Sequence, residues 1–191
     1  MVSRSPRSVH GLIVVDMQAA FVSGAGAVPA APGLVAAVGE LLAAARMGGA
    51  LVVQLQNDGP AGSADEPGTA GWELFLPAEH RDAEHVLRKH ADDGFEGTGL
   101  ASILAVHGIR DLALCGVMSE MCVSATARSA LRLGYRVVLP HDAHATCDIP
   151  AVDGLAEFVP HTMVSRAAEW ALGDGIEVIA RAADIRFEPP P

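Results

Sequence analysis

The chain is predicted to be an α/β protein, with six strands in a mainly parallel sheet covered on both faces. Two observations predict this. Short β-branched or apolar runs alternate with longer Ala/Leu-rich stretches, the signature of strand–helix units packed around a parallel sheet. Half of the 191 residues are apolar, enough to bury a sizeable core without disulfides or a structural metal. No internal repeat and no shift in composition marks a boundary. The sequence therefore reads as a single domain over 1–191, with 1–9 and 188–191 as tails.

The first strand is G-L-I-V-V, Gly11 to Val15. A helix from Leu34 to Met47 follows Pro32-Gly33 and is stopped by Gly48-Gly49. Ala50 to Gln56 is the second strand. Asn57 to Gly71 is a Gly/Pro/Ser-rich connection with no apolar period, long enough to suggest that it lines a site. His85 to Arg88 is a third short strand, Leu100 to His107 a helix ended by Gly108, and Asp111 to Cys115 a fourth strand. A helix carrying Cys122 near its start runs to Leu133 and stops at Gly134, before a fifth strand, Tyr135 to Leu139. Pro140 to Gly154 is a loop, His161 to Leu172 a helix, Gly173-Asp174-Gly175 a turn, and Ile176 to Ile179 the sixth strand. E-P-P-P closes the chain.

A formal net charge of −10 and a pI near 5.1 argue against nucleic acid or an anionic membrane as partner and favour a small molecule. The three cysteines, Cys115, Cys122 and Cys147, form no C-x-x-C pair and no complete disulfide set, which points to a reducing, cytoplasmic setting. The apolar run at Gly11 to Val15 is interrupted by Asp16, too soon for a signal h-region or a membrane span.

Three residues carry chemistry. Asp16 directly follows the first strand and Lys89 ends the third, so both lie at carboxyl ends of strands, the edge where open parallel sheets bind ligands. Cys122 lies after the fourth strand, near a helix N-terminus whose free N–H groups favour thiolate. Taken singly, the bland readings hold: a turn aspartate, a surface lysine, a small buried thiol. Together they supply an acid, an amine and a thiol, the parts needed for attack on a carbonyl. Lys89 would stabilise the thiolate, Asp16 would take the thiol proton and protonate the leaving amine, and N–H groups around Met118 and Cys122 would hold the oxyanion.

Four segments, V-V-D-M-Q-A-A-F, the Lys89 stretch ending in F-E-G-T-G-L, G-V-M-S-E-M-C-V-S-A-T-A-R-S-A and G-Y-R-V-V-L-P-H-D-A, together resemble the isochorismatase-like cysteine hydrolases. The resemblance runs from about Gly11 to Cys147. It implies a three-layer α/β/α sandwich and an Asp–Lys–Cys triad, with Asp16 as acid/base, Lys89 as stabiliser and Cys122 as nucleophile. It also implies a cis peptide between Val117 and Met118 that aims the Met118 N–H into the oxyanion site. Dimers or higher homo-oligomers are common in that family, and an Ala-rich domain with apolar helix faces is compatible with one.

Two departures narrow the expectation. Nicotinamidases of the family carry Asp-x-His after the second strand and a further His for a metal, whereas this chain has L-Q-N-D-G-P. Members that cleave the vinyl ether of isochorismate usually have glycine in place of Cys122. The reading that follows is a metal-independent, cofactor-free amidohydrolase acting on a small carboxamide, lactam or carbamoyl compound through a thioester. The alternatives are a nicotinamidase-type or isochorismatase-type hydrolase, or a non-catalytic small-molecule or partner-binding protein with the same fold. A dinucleotide-binding unit is discarded because no G-x-G-x-x-G follows Val15.

Gln18, Phe21, Trp72 and Val117 are expected to contact substrate, although Phe21 and Trp72 equally suit a core. Asp92 and Asp93 either hold the Lys89 ammonium or face solvent. His80, His85 and His90 are spaced by five, which suits surface histidines better than a metal site. His141 and His144 flank Asp142, for which structural hydrogen bonding is favoured over metal binding. Cys147 is read as inert.

Overall fold

The computed structural model describes residues 8–191. The sequence runs named above fold into strands β2 (Gly11–Val15), β3 (Leu51–Asn57), β4 (Glu84–Lys89), β5 (Asp111–Val117), β6 (Arg136–Pro140) and β8 (Ile176–Ile179), in the spatial order β4-β3-β2-β5-β6-β8. Every residue of β2 is buried, and β3 and β5 are buried except at one end, as parallel strands covered on both faces must be. The edge strand β4 is buried only at its two ends, Glu84 and Lys89, and alternates between half-buried and exposed positions between them.

The alternating side-chain direction of a strand splits the core in two. Leu12 and Val14 of β2 face α2 (Ala31–Met47) through Leu34, Val38, Leu41 and Leu42. Ile13 and Val15 face the opposite layer, where Leu100 and Leu104 of α3 (Leu100–Val106) and Ala127 and Ala130 of α4 (Ser124–Arg132) pack. Helices on both sides make the three-layer α/β/α sandwich. Truncating one of these fully buried leucines to alanine costs roughly 2–5 kcal/mol, the loss of transfer free energy plus a cavity.

Several boundaries differ from the sequence reading. Helix α2 begins three residues earlier than expected, at Ala31, because Pro32 fits the first turn of a helix, where its missing N–H is not needed. A short helix α1 (Ala19–Val22) and a two-residue strand β7 (His144–Ala145) were not expected. β7 pairs with β5 beyond the end of β6, so the sheet has seven strands and not six. Residues 1–9, read as a tail, include Ser8–Val9, which form β1 and pair in parallel with β9 (Arg186–Phe187); residues 1–7 lie outside the described residues. Two-residue strands carry too little pattern to be seen in a sequence. The last helix, α5, spans His161–Ala171. Among the described residues, no helix is long and apolar enough to cross a membrane.

The strand order places the site. From β2 the chain winds outward through β3 and β4, then returns to the other side of β2 and winds away through β5, β6 and β8. The winding reverses between β2 and β5, and at that point the connections diverge and leave a crevice at the carboxyl ends of the strands.

Candidate active site

At the crevice, β2 and β5 come unusually close. Gly116 lies opposite Val15, with φ of 119°, and a β-carbon built there would sit 2.0 Å from the Val15 carbonyl oxygen. Only glycine fits such an approach. The chain leaves β2 through Asp16, whose φ of 50° is the sole positive value at a non-glycine residue among the described residues. Strained backbone of this kind persists where the surroundings hold it, and it clusters at functional sites. The chain leaves β5 through the Val117–Met118 peptide, which is cis, into the turn Ser119–Val123. In that turn the Met118 carbonyl accepts from the N–H groups of Met121 and Val123, and Cys122 lies one residue before Val123, whose own successor starts α4.

Lys89, the last residue of β4, reaches across the end of β3 into this crevice. Its side chain is fully buried, and Nζ lies 2.8 Å from Asp16 Oδ2, 3.4 Å from Cys122 Sγ, 3.2 Å from Asn57 Oδ1 and 3.1 Å from the Ala91 carbonyl oxygen. The three candidate residues named from the sequence therefore converge through the lysine. Asn57 was not singled out there. It orients the ammonium with its carbonyl oxygen while its own Nδ2 donates to Asp65 Oδ2 at 2.7 Å. Its position as the last residue of β3, level with Lys89 in register, was the available signal.

Burial and pairing set the charges. Burial raises the Asp16 carboxyl to about 6 even though the Lys89 ammonium opposes it. For Lys89, burial acts to lower the pKa, but Asp16 and Cys122 outweigh it and the ammonium is held above its ordinary range. Burial, and then the negative charge of Asp16, push the Cys122 thiol up, against the thiolate that the helix N-terminus favours, and Lys89 offsets them only in part. The resting site is thus a thiol beside a carboxylate–ammonium pair. Asp16 Oδ1, the carboxylate oxygen not facing Lys89, is buried with no hydrogen-bond partner among the described residues.

The other expected residues divide. Gln18 is fully buried and its amide is saturated by main chain, donating to the carbonyls of Asn57 and Trp72 at 2.9 Å and accepting from the Asn57 N–H at 2.8 Å. It clamps the long β3–β4 connection and does not face a substrate. The Val117 side chain is 1% exposed within the core and cannot line a pocket. Phe21 packs against the same cluster. The Trp72 indole N–H donates to Asp58 at 2.9 Å, and the Arg88 guanidinium stacks on its ring while pairing with Asp58 at 2.6 Å. Asp58, which stands where a nicotinamidase ligand would be sought, is committed to these partners.

Neither Asp92 nor Asp93 holds the ammonium. Asp92 accepts from the Cys122 thiol at 3.6 Å, and Asp93 accepts from Ser129 and from the Phe95 N–H. Of the outlying histidines, His80 and His90 are exposed and His85 packs against His107 with the rings tilted at 59°. Asp142 accepts from the Ala182 N–H at 2.7 Å, the structural role expected. Cys147 is an exposed free thiol.

An acid, an ammonium and a thiol thus meet at the switch point of a three-layer α/β/α sheet. The isochorismatase domain profile matches residues 10–170, and the chain belongs to the isochorismatase family. It is 60% identical over 183 residues to a streptothricin hydrolase of Streptomyces noursei, covering 96% of this chain and 66% of that protein, so it spans just under two thirds of the relative's length. Among solved structures, an isochorismatase from Pseudomonas putida KT2440 superposes with a TM-score of 0.84 at 29% identity, over 96% of this chain and 94% of that one. An N-carbamoylsarcosine amidase from Thermoplasma acidophilum superposes at 0.70 and 28% identity, over 90% and 95%.

Proposed function

We propose that the protein is a cysteine amidohydrolase that cleaves the C–N bond of a small carboxamide, lactam or carbamoyl compound without a catalytic metal. One observation carries the reading: a single buried ammonium touches both a carboxylate and a thiol at the sheet's switch point. In this reading Cys122 Sγ attacks the carbonyl carbon as its proton passes to Asp16 Oδ1. The carbonyl oxygen becomes an oxyanion, held by the N–H groups of Met118 and Cys122. Lys89 offsets the negative charge gathering between sulfur and oxygen. The C–N bond then breaks, and Asp16 returns the proton to the departing nitrogen, leaving an acyl thioester on Cys122. Water attacks that thioester with Asp16 as base, the carboxylic acid leaves, and the thiol is restored.

The names of the relatives support a C–N substrate. One similar protein is a streptothricin hydrolase and one structural neighbour is an amidase acting on N-carbamoylsarcosine. Streptothricin is therefore the first compound to test, followed by a panel of small amides. Turnover is read by mass spectrometry of the products, together with the mass of the intact chain during turnover. The expected result is hydrolysis of at least one amide, an acyl adduct mapped to Cys122, and loss of turnover in a folded Cys122→Ala variant by about three orders of magnitude or more. Full activity of Cys122→Ala on an identified substrate would overturn the mechanism.

A further inference from the structure

Beside the nucleophile turn, His141 Nδ1 and His144 Nε2 converge on one carboxylate oxygen, Glu169 Oε1, at 2.6 and 2.9 Å. His141 directly follows β6, His144 opens β7, and Glu169 comes from α5. The three ligand atoms lie within 4.8 Å of one another. We propose that this cluster is a binding site for a divalent transition-metal ion of the zinc class, distinct from the proposed catalytic residues.

Four features of the cluster favour a metal over a plain ion pair. Two imidazoles and a carboxylate are a ligand set suited to zinc and its neighbours in the first transition row. Both nitrogens face the same carboxylate oxygen, so the three donor atoms already converge on one point. The other oxygen, Oε2, is left to Arg166, a half-exposed surface side chain 3.1 Å away that can swing into solvent when a cation arrives.

The ligands are also held from behind. His144 Nδ1 lies 2.8 Å from Ser119 Oγ, which lies 3.0 Å from Ser165 Oγ. A hydroxyl can donate or accept, so the serine pair accommodates either imidazole tautomer, including the one that frees Nε2 as a metal ligand and fixes the ring.

Access comes from an open cleft of about 870 Å³ lined by His141, Glu169, Trp170 and Ile176. Glu169 and His144 are buried while His141 is half exposed, which leaves coordination positions for water on the cleft side. Ser119 opens the turn that carries Cys122. A metal here would brace that turn through the imidazole of His144, which contacts Ser119.

The test is calorimetric titration of Zn2+ into the untagged, metal-stripped full chain, with Co2+ as a second probe read by its visible d–d bands. The expected result is one saturable equivalent, weakened about tenfold or more in both His141→Ala and Glu169→Gln, with the cobalt spectrum lost in each. His141 is half exposed, so its truncation spares the core, and circular dichroism verifies the fold of both variants. No saturable binding, unchanged affinity in folded His141→Ala, or binding abolished only by alkylating Cys122 would overturn the proposal.

Discussion

The Lys89 ammonium and the Asp16 carboxylate form a pair 2.8 Å apart at the floor of the site, with both side chains almost wholly withdrawn from solvent. Taking two charges out of water costs more than ordinary packing returns, and their mutual attraction offsets that cost only while both are present. Most of the site's behaviour follows from this coupling.

Activity should fall on the acid side with an apparent pKa of about 6. Asp16 must be ionised to receive the thiol proton, and burial has raised its carboxyl to about that value. The fraction able to act as base therefore rises with pH through 6. The kcat/KM profile of the wild type on an identified substrate checks this, and an acid limb near 4, the range of an ordinary carboxylate, would contradict it.

Asp16→Asn should lose turnover while its sulfur becomes easier to alkylate. The charge of Asp16 is one of the causes that raise the Cys122 thiol; without it, the Lys89 ammonium acts on the sulfur alone and favours thiolate. Alkylation of Cys122 by iodoacetamide at pH 7, followed by peptide mass spectrometry, should speed up by about tenfold, since one pKa unit is tenfold in thiolate. Equal or slower alkylation in the variant would show that Asp16 does not control the thiol.

Lys89→Met should destabilise the fold in a pH-dependent way. The Asp16 carboxyl, already raised to about 6, moves higher when its cation is removed. A carboxyl whose folded pKa exceeds its unfolded one contributes stability at low pH that is lost as pH rises through the folded value. Urea unfolding should thus show a loss of roughly 3–5 kcal/mol at pH 8 and a smaller loss at pH 5. A loss independent of pH would mean that the two groups are not coupled.

Gln18→Leu should weaken the anchoring of the long β3–β4 connection. The N–H and carbonyl of Asn57 would lose the Gln18 amide as partner, while the carbonyl of Trp72 would keep only the Gln56 amide at 2.9 Å. Leaving buried polar groups unpaired costs roughly 1–3 kcal/mol each, less whatever water recovers. Protease sensitivity mapped to residues 58–72 should increase, and unchanged cleavage and unfolding midpoint would refute the clamp.

The central strands were legible because a strand buried on both faces has to be a continuous apolar run, and β2, β3 and β5 each are. Asp16, Lys89 and Cys122 were legible because each stands where such a run ends or turns. Gln18 was located but misread: proximity to Asp16 in sequence suggested a substrate contact, while the fold turned its amide onto the main chain. Asn57 and Glu169 were missed because their partners come from other elements, at separations no local pattern encodes.

By itself, the sequence determined the class of fold, the succession of its principal strands along the chain and the residues at their carboxyl ends, since hydrophobic period and turn chemistry are local properties of the chain. Tertiary structure alone decided which of those ends meet, that Lys89 touches both Asp16 and Cys122, and that burial and Asp16 together push the Cys122 thiol up. The reason is physical: burial and Coulomb coupling depend on distances across the sheet, and these exist only once β4, β3, β2 and β5 lie side by side.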